Sequence, residues 1–179
     1  MIPVNHAPHR TAPAVGACNN QSVEVEIIWP ASVQRVLTFK NSIDFVKGKV
    51  PAVVLRNFFE PENGFVWSTS TWAEIVFSFT DGAYPKERGA DLILDLDVFK
   101  APPTLPTQSV KFYLNGLRLG SRDIVARTMA IVTFQAGLLR PTDNILTLDT
   151  PHAEVPKKFD IDDSRCLGVQ LFSMQIRPG

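Results

Sequence analysis

What this chain lacks narrows it first. No apolar run approaches the roughly 18 residues of a membrane-crossing helix, so none is expected. An excess of positive charge is missing too. Lys+Arg and Asp+Glu both number 18, and the formal net charge is zero. A nucleic-acid binder with a broad basic face and a polybasic membrane-surface protein are therefore both disfavoured. Residues 1–16 hold Pro, His and Ala but no apolar core of a secretory leader, so no signal peptide is expected. Histidine is scarce at three residues and cysteine scarcer at two. Cys18 and Cys166 form no C-x-x-C, which argues against dithiol redox chemistry and a zinc knuckle. In a chain without a leader the expectation is two separate thiols, with a single disulfide as the alternative.

Catalytic signatures are missing as well. There is no G-x-S-x-G, no G-x-x-x-x-G-K-[ST] and no G-x-G-x-x-G. His6 and His9 are spaced as H-x-x-H but have no third ligand nearby, and His152 sits in a loop that opens on Pro151. No nucleophile–base pair, metal or cofactor is expected from this set.

What the chain has in quantity is punctuation and alternation. Fourteen Pro and ten Gly separate short runs of period two. Ser22–Trp29 sets Val23, Val25, Ile27 and Trp29 against Glu24 and Glu26. Trp72–Thr80 puts Ala73, Ile75, Phe77 and Phe79 on one face. Asp91–Phe99 sets Leu92, Leu94, Leu96 and Val98 against Asp91, Asp95 and Asp97. Such runs are half-buried strands, one side on a core and one side wet. Further strands are expected over Pro51–Arg56, Met129–Phe134, Asn144–Asp149 and Arg165–Ile176, the last with a bulge near Leu171 where the alternation changes phase. The stretch 31–48 suits a helical turn or a strand, and the loops 100–108 and 150–164 should be irregular.

The sharpest local signal is Val110–Leu119, in which Asn115-Gly116 asks for a type I′ hairpin because both central residues need positive φ. The two-residue turn sets Leu114 opposite Leu117, Tyr113 opposite Arg118 and Phe112 opposite Leu119. The first and third pairs then face inward, and Tyr113 and Arg118 outward. Many short strands, and no helix to alternate with them, predict an all-β fold, an antiparallel β-sandwich of jelly-roll type. Its core should hold Phe77, Phe79, Leu94, Leu96, Phe112, Leu114, Leu146 and Leu148. Residues 1–21 read as a flexible arm and 22–179 as one sandwich domain.

Two features point to ligand chemistry. Asp95 and Asp97 share a strand face, and Asp160, Asp162 and Asp163 share a loop. The first pair suits a cation or sugar hydroxyls, the loop cluster a calcium ion or two glycosidase carboxylates, and the plainer reading of both is a solvated surface. Trp67 and Trp72 flank the polar run 68–71. Trp67 is expected as a plug of the sandwich. Trp72 is out of phase with the apolar side of its own strand and should face outward, with Tyr84 in the loop that follows. Flat aromatic rings stack on the apolar face of a pyranose.

The segments Asn57-Phe-Phe-Glu-Pro-Glu-Asn-Gly-Phe-Val-Trp-Ser68, Trp72-Ala-Glu-Ile-Val-Phe77, Val110–Gly116 and Asp162–Ile176 together resemble a bacterial signature. It belongs to a jelly-roll, carbohydrate-binding-like domain appended to bacterial glycosyltransferases and to membrane proteins of polysaccharide synthesis. The resemblance spans about residues 57–176. Val66 departs from it, standing where the family has Arg before Trp67. The resemblance implies folding roles for Trp67, for Glu60 or Glu62, which would tie down a turn, and for Arg165, which would pair with an acid.

The resulting expectation is a non-catalytic module for a bacterial envelope polysaccharide of O-antigen or capsule type, accessory to a glycosyltransferase or export system. The ligand-binding residues would be Trp72, Tyr84, Asp95, Asp97 and Arg118, with no metal and no cofactor. A polysaccharide or oligosaccharide is the expected partner, with a glycosyltransferase or membrane assembly protein beside it; neither nucleic acid nor direct membrane insertion is expected. The location would be cytoplasmic or cell-envelope associated. The alternatives are a protein–protein scaffold within a polysaccharide assembly complex and a small glycan-active enzyme.

Overall fold

The computed structural model describes residues 18, 36–37, 42–45, 53–79 and 88–178. The expected arm 1–21, apart from Cys18, and the expected strand Ser22–Trp29 lie outside them. Eleven strands are described: β1 Val36–Leu37, β2 Ile43–Asp44, β3 Val53–Arg56, β4 Val66–Trp67, β5 Trp72–Phe79, β6 Ala90–Val98, β7 Gln108–Leu114, β8 Leu117–Ile124, β9 Thr128–Phe134, β10 Asn144–Asp149 and β11 Val169–Pro178. The one helical element among the described residues is a 3₁₀ turn at Pro156–Phe159. The ambiguous stretch 31–48 supplies two short strands.

The strands form two sheets. In the first, the order is β1-β5-β10-β7-β8, with β3 also paired to β5; in the second it is β2-β11-β6-β9, with β4 also paired to β11. All pairings are antiparallel except β1 with β5. The chain crosses between sheets from β5 to β6, from β6 to β7 and again at β8–β9–β10–β11, which is why these sequence neighbours stack while β7 and β8 pair as a hairpin. This is an all-β antiparallel sandwich.

Alternation builds the interior. Ala73, Ile75, Phe77 and Phe79 of β5, Val110, Phe112 and Leu114 of β7, and Leu146 and Leu148 of β10 turn inward to meet Leu92, Leu94, Leu96, Leu171 and Met174 of the second sheet. All eight residues expected in the core are buried, none more than 6% exposed. Each large side chain so buried contributes about 1.5–3 kcal/mol relative to exposure. The β6–β11 register shifts between Leu171 and Ser173, the bulge that the phase change in the sequence requires.

Several expectations are corrected. Cys18 and Cys166 are joined in a disulfide, with Cα atoms 5.5 Å apart, within bridging range. In the β7–β8 hairpin, Asn115 (φ 52°) and Gly116 (φ 82°) take the positive-φ turn, and Leu114 faces Leu117 and Tyr113 faces Arg118. The register then shifts, so Phe112 meets Gly120 and not Leu119. Since β8 is the last strand of its sheet, no further strand covers the hairpin tip, and Leu117 is 57% exposed rather than buried. Trp67 does not plug the main core. It is half-buried against a satellite cluster of Phe99, Ala101 and Leu167.

The two outer segments of the recognised pattern meet each other. Val66 and Trp67 of β4 pair with Leu171 and Gln170 of β11. The buried Ser68 hydroxyl accepts the Val169 N–H at 2.9 Å and donates to Ser70 O at 3.4 Å. A Cβ on Gly168 would stand 2.6 Å from that hydroxyl oxygen, so glycine alone fits there. Val66 is fully buried, so the position where the family has Arg faces the core here. These motifs join the β4 region to the last strand, a structural task.

Arg165 performs the pairing expected of it. Its guanidinium holds Asp163 through Nε and Nη2 (2.8 Å for the latter) and Glu62 through Nη1 at 2.8 Å, and it lies over the Phe59 ring at 5.1 Å. The hydrogen bond from Arg165 holds the Asp163 carboxyl below the usual carboxylate range. With its folded-state pKa below the unfolded value of about 3.9, Asp163 stabilises the fold fully above about pH 4 and loses that contribution as pH falls through the lowered value. The urea midpoints of wild type and Asp163→Asn should therefore differ at pH 7 and converge below pH 4. A gap that stays constant with pH would show that the pair is not titrating.

Candidate functional site

The site grows from the outward half of the same alternation. Trp72, Glu74, Val76 and Ser78 of β5 are half-buried on the outer face of the first sheet, as are Ile145, Thr147 and Asp149 of β10 and Ser109, Lys111 and Tyr113 of β7. Register aligns them in rows. One row runs Trp72–Asp149–Lys111 and the next Glu74–Thr147–Tyr113–Arg118. Trp72 and Tyr113 therefore lie diagonally across β10, two strand spacings or about 10 Å apart in the sheet direction.

Between the two rings is an open groove of about 550 Å³, lined by Thr71, Trp72, Tyr113, Gly116, Thr147 and Asp149. Its ends are held in place. Asn57 Nδ2 donates to Trp72 O at 3.3 Å, and the Thr150 N–H donates to Thr71 O at 2.6 Å. At the other end Asn115 Nδ2 donates to Leu138 O at 2.8 Å, and its Oδ1 accepts from Ile145 N at 2.9 Å, fixing the turn that carries Gly116. Two ion pairs cross the face, Lys111–Asp149 at 2.9 Å and Arg56–Glu74 at 3.2 Å. The floor thus carries two half-buried rings, two threonines and a carboxylate paired with Lys111, with charge locally balanced.

Trp72 stands where its phase predicts. Arg118 shares its sheet face, beside Tyr113, and its guanidinium donates to Ser121 Oγ at 3.5 Å. Tyr84 lies outside the described residues. Asp95 and Asp97, expected among the ligand residues with Trp72, do not join this face, because β6 belongs to the other sheet and never pairs with β5. Asp95 takes a two-pronged contact from Arg127, at 3.0 and 2.6 Å, and Asp97 pairs with Lys100. Asp163 is held by Arg165, and Asp160 caps the 3₁₀ turn at positive φ. Among the described residues no three His, Cys, Asp or Glu side chains converge. A second recess, of about 570 Å³, lies beside Phe59, Glu60, Glu62, Phe65 and Arg165, and there the guanidinium is already engaged by acids.

No protein-family model and no curated protein matches the chain. Solved structures do. It is similar to a family 35 carbohydrate binding module from Clostridium thermocellum, at 11% identity over 76% of this chain and 97% of that one, with a TM-score of 0.46. It is also similar to the CBM22-1 xylan-binding domain from Paenibacillus barcinonensis, at 12% identity over 80% and 97% of the two chains and a TM-score of 0.42. A third is the module CBM36 in complex with calcium and xylotriose, at 12% identity over 78% and 99% with a TM-score of 0.38.

Of the groove's lining, Thr71, Tyr113, Gly116, Thr147 and Asp149 were not among the expected ligand residues. The hairpin register already turned Tyr113 outward; what was lacking was that β10 lies between β7 and β5.

Proposed function

We propose that this domain is a non-catalytic carbohydrate-binding module, and that the groove between Trp72 and Tyr113 is its binding site. The observation that carries this reading is the pair of half-exposed rings on one sheet face with short polar side chains between them. Sugar rings would stack on Trp72 and Tyr113, while Thr71, Thr147 and Asp149 exchange hydrogen bonds with hydroxyls and Arg118 borders the far end. Asp95 and Asp97 are left out because they occupy the opposite sheet. A bacterial envelope polysaccharide, delivered to a glycosyltransferase or export system, is the ligand class that the sequence resemblance suggests. The Cys18–Cys166 bond supports the cell envelope over the cytoplasm, since disulfides persist in oxidising compartments.

An open groove of this kind binds weakly, because each hydroxyl exchanges a water partner for a protein one. Dissociation constants from micromolar to millimolar are expected, about −4 to −8 kcal/mol. Calorimetric titration of envelope oligosaccharides found on a glycan array should show Trp72→Ala and Tyr113→Ala each weakening binding about tenfold or more, near 1.4 kcal/mol. Both variants remain folded because neither side chain is in the core. If both bind like wild type, the groove is not the site; if the intact protein binds no glycan, the reading itself fails.

A further inference from the structure

The register shift in the β7–β8 hairpin re-aims a side chain. Tyr113 pairs with Arg118 and Phe112 with Gly120, so Leu119 is an extra residue on β8. Strict alternation would put residues 118 and 121 on opposite faces. The bulge at Leu119 turns both outward. Ser121 then sits opposite Lys111, and Arg118 opposite Tyr113. These four residues make a compact patch on the outer face of the first sheet, two on β7 and two on β8. It measures about 5 Å across the strands and about 7 Å along them.

The patch is short of negative charge. On this face Arg56 is held by Glu74 at 3.2 Å and Lys111 by Asp149 at 2.9 Å. Arg118 is exposed and has no acid partner among the described residues; its guanidinium makes one long donation, to the Ser121 hydroxyl at 3.5 Å. A guanidinium carries five N–H donors in a rigid fork, so most of them are left for a ligand. Lys111 and Arg118 together stand against the single carboxylate of Asp149. The groove floor is balanced, and its Tyr113 end is positive by one charge. Arg122 gives the contrast. It too is exposed on β8, but it lies opposite the buried Val110 and lines a recess with Val132 of the other sheet. It therefore leaves the strand on the other side.

We propose that Lys111, Tyr113, Arg118 and Ser121 form an oxyanion subsite at the end of the groove, and that the bound glycan carries an acidic substituent there, a carboxylate or a phosphate. This deepens the sugar-binding reading and rests on it. With a sugar ring against Tyr113, a substituent directed toward β8 meets the Arg118 fork and the Ser121 hydroxyl, and Lys111 adds charge from the neighbouring row. Carboxylates and phosphates both accept two parallel N–H donations from such a fork. A neutral sugar leaves that charge unused. The bulge supplies the selectivity, because without it Arg118 and Ser121 would not share a face.

The test is a glycan array on which each acidic bacterial oligosaccharide is spotted beside its neutral counterpart, carboxyl-reduced or dephosphorylated, followed by calorimetry on the pairs that bind. The acidic member should bind at least tenfold tighter. That preference should shrink as sodium chloride rises from about 0.05 to about 0.5 M. Arg118→Gln should abolish it and leave the affinity for the neutral member unchanged. Arg118→Lys, which keeps the charge and loses the fork, should retain only part of it. Arg122→Gln should leave it intact. All three variants replace exposed side chains and should melt with wild type. The arm that shows the preference, carboxylate or phosphate, identifies the substituent. If acidic and neutral members bind alike, or if Arg118→Gln leaves the preference intact, the proposal is overturned and the sugar-binding reading stands. If no glycan binds, that reading fails and the proposal fails with it.

Discussion

Cys166→Ser should lower the melting temperature of this domain by roughly 10–20 °C. The bond to Cys18 spans a sequence separation of 148. On the chain-entropy model, closing a loop of that length removes about 5 kcal/mol worth of freedom from the unfolded chain. For a domain of this size each kcal/mol moves the midpoint by about 2–4 °C. The folded state changes little, because Cys166 is flanked by residues with their own anchors. Arg165 is held by Asp163 and Glu62, and Leu167 exchanges backbone hydrogen bonds with Glu154. Cys18→Ser should produce the same shift, and the double variant no more than either alone, since all three remove one bond. Scanning calorimetry decides it: a loss under about 1 kcal/mol would mean that the unfolded chain was already compact.

Asn144→Leu should cost about 3–4 kcal/mol, even though leucine adds apolar volume to a fully buried position. Asn144 Nδ2 donates to Arg140 O at 2.8 Å and Phe77 O at 3.4 Å, while Oδ1 accepts from Arg140 N at 2.8 Å and Asn115 Nδ2 at 3.2 Å. Leucine meets none of these needs and leaves several polar groups without partners in the interior. Asn115→Ala removes the neighbouring half of the same network, so the two losses should combine to less than their sum. Urea denaturation is the measurement, and a midpoint within error of wild type would show that water replaces the side chain. Since Asn115 also fixes the turn that carries Gly116, either variant should loosen that end of the groove before the sheet melts.

Alternation made the faces legible and left the neighbours hidden. Phe77 and Leu146 read as inward residues because every second position on their strands is apolar. The same pattern at Leu92–Leu94–Leu96 gave no reason to put β6 in a different sheet from β5, since a period of two specifies a face and not a partner. That is why Asp95 was expected beside Trp72 and lies instead under Arg127. Trp72 could be placed because its phase conflicts with its own strand. Tyr113 was turned outward by a two-residue turn, yet its meeting with Trp72 depends on β10, which is far along the chain from both. The Cys18–Cys166 bond was illegible for the same reason. Nothing local marks two residues so distant as neighbours, and a count of two cysteines is weak evidence for a bond.

The place of β11 also sets when the molecule can be completed. This strand pairs with β6 from Val169↔Val98 to Pro178↔Ala90, and it is the strand that brings β2 and β4 into the second sheet. It is also the last of the described strands to leave the ribosome. By then β5, β10, β7 and β8 have already emerged and can assemble the first sheet, while β6 has β9 alone for company. A chain halted before Val169 is therefore a half-finished sandwich in which β6 keeps an unpaired edge beside its row of Leu92, Leu94 and Leu96. Such an edge draws chaperones or aggregates, so the growing chain needs shelter until its final strand arrives.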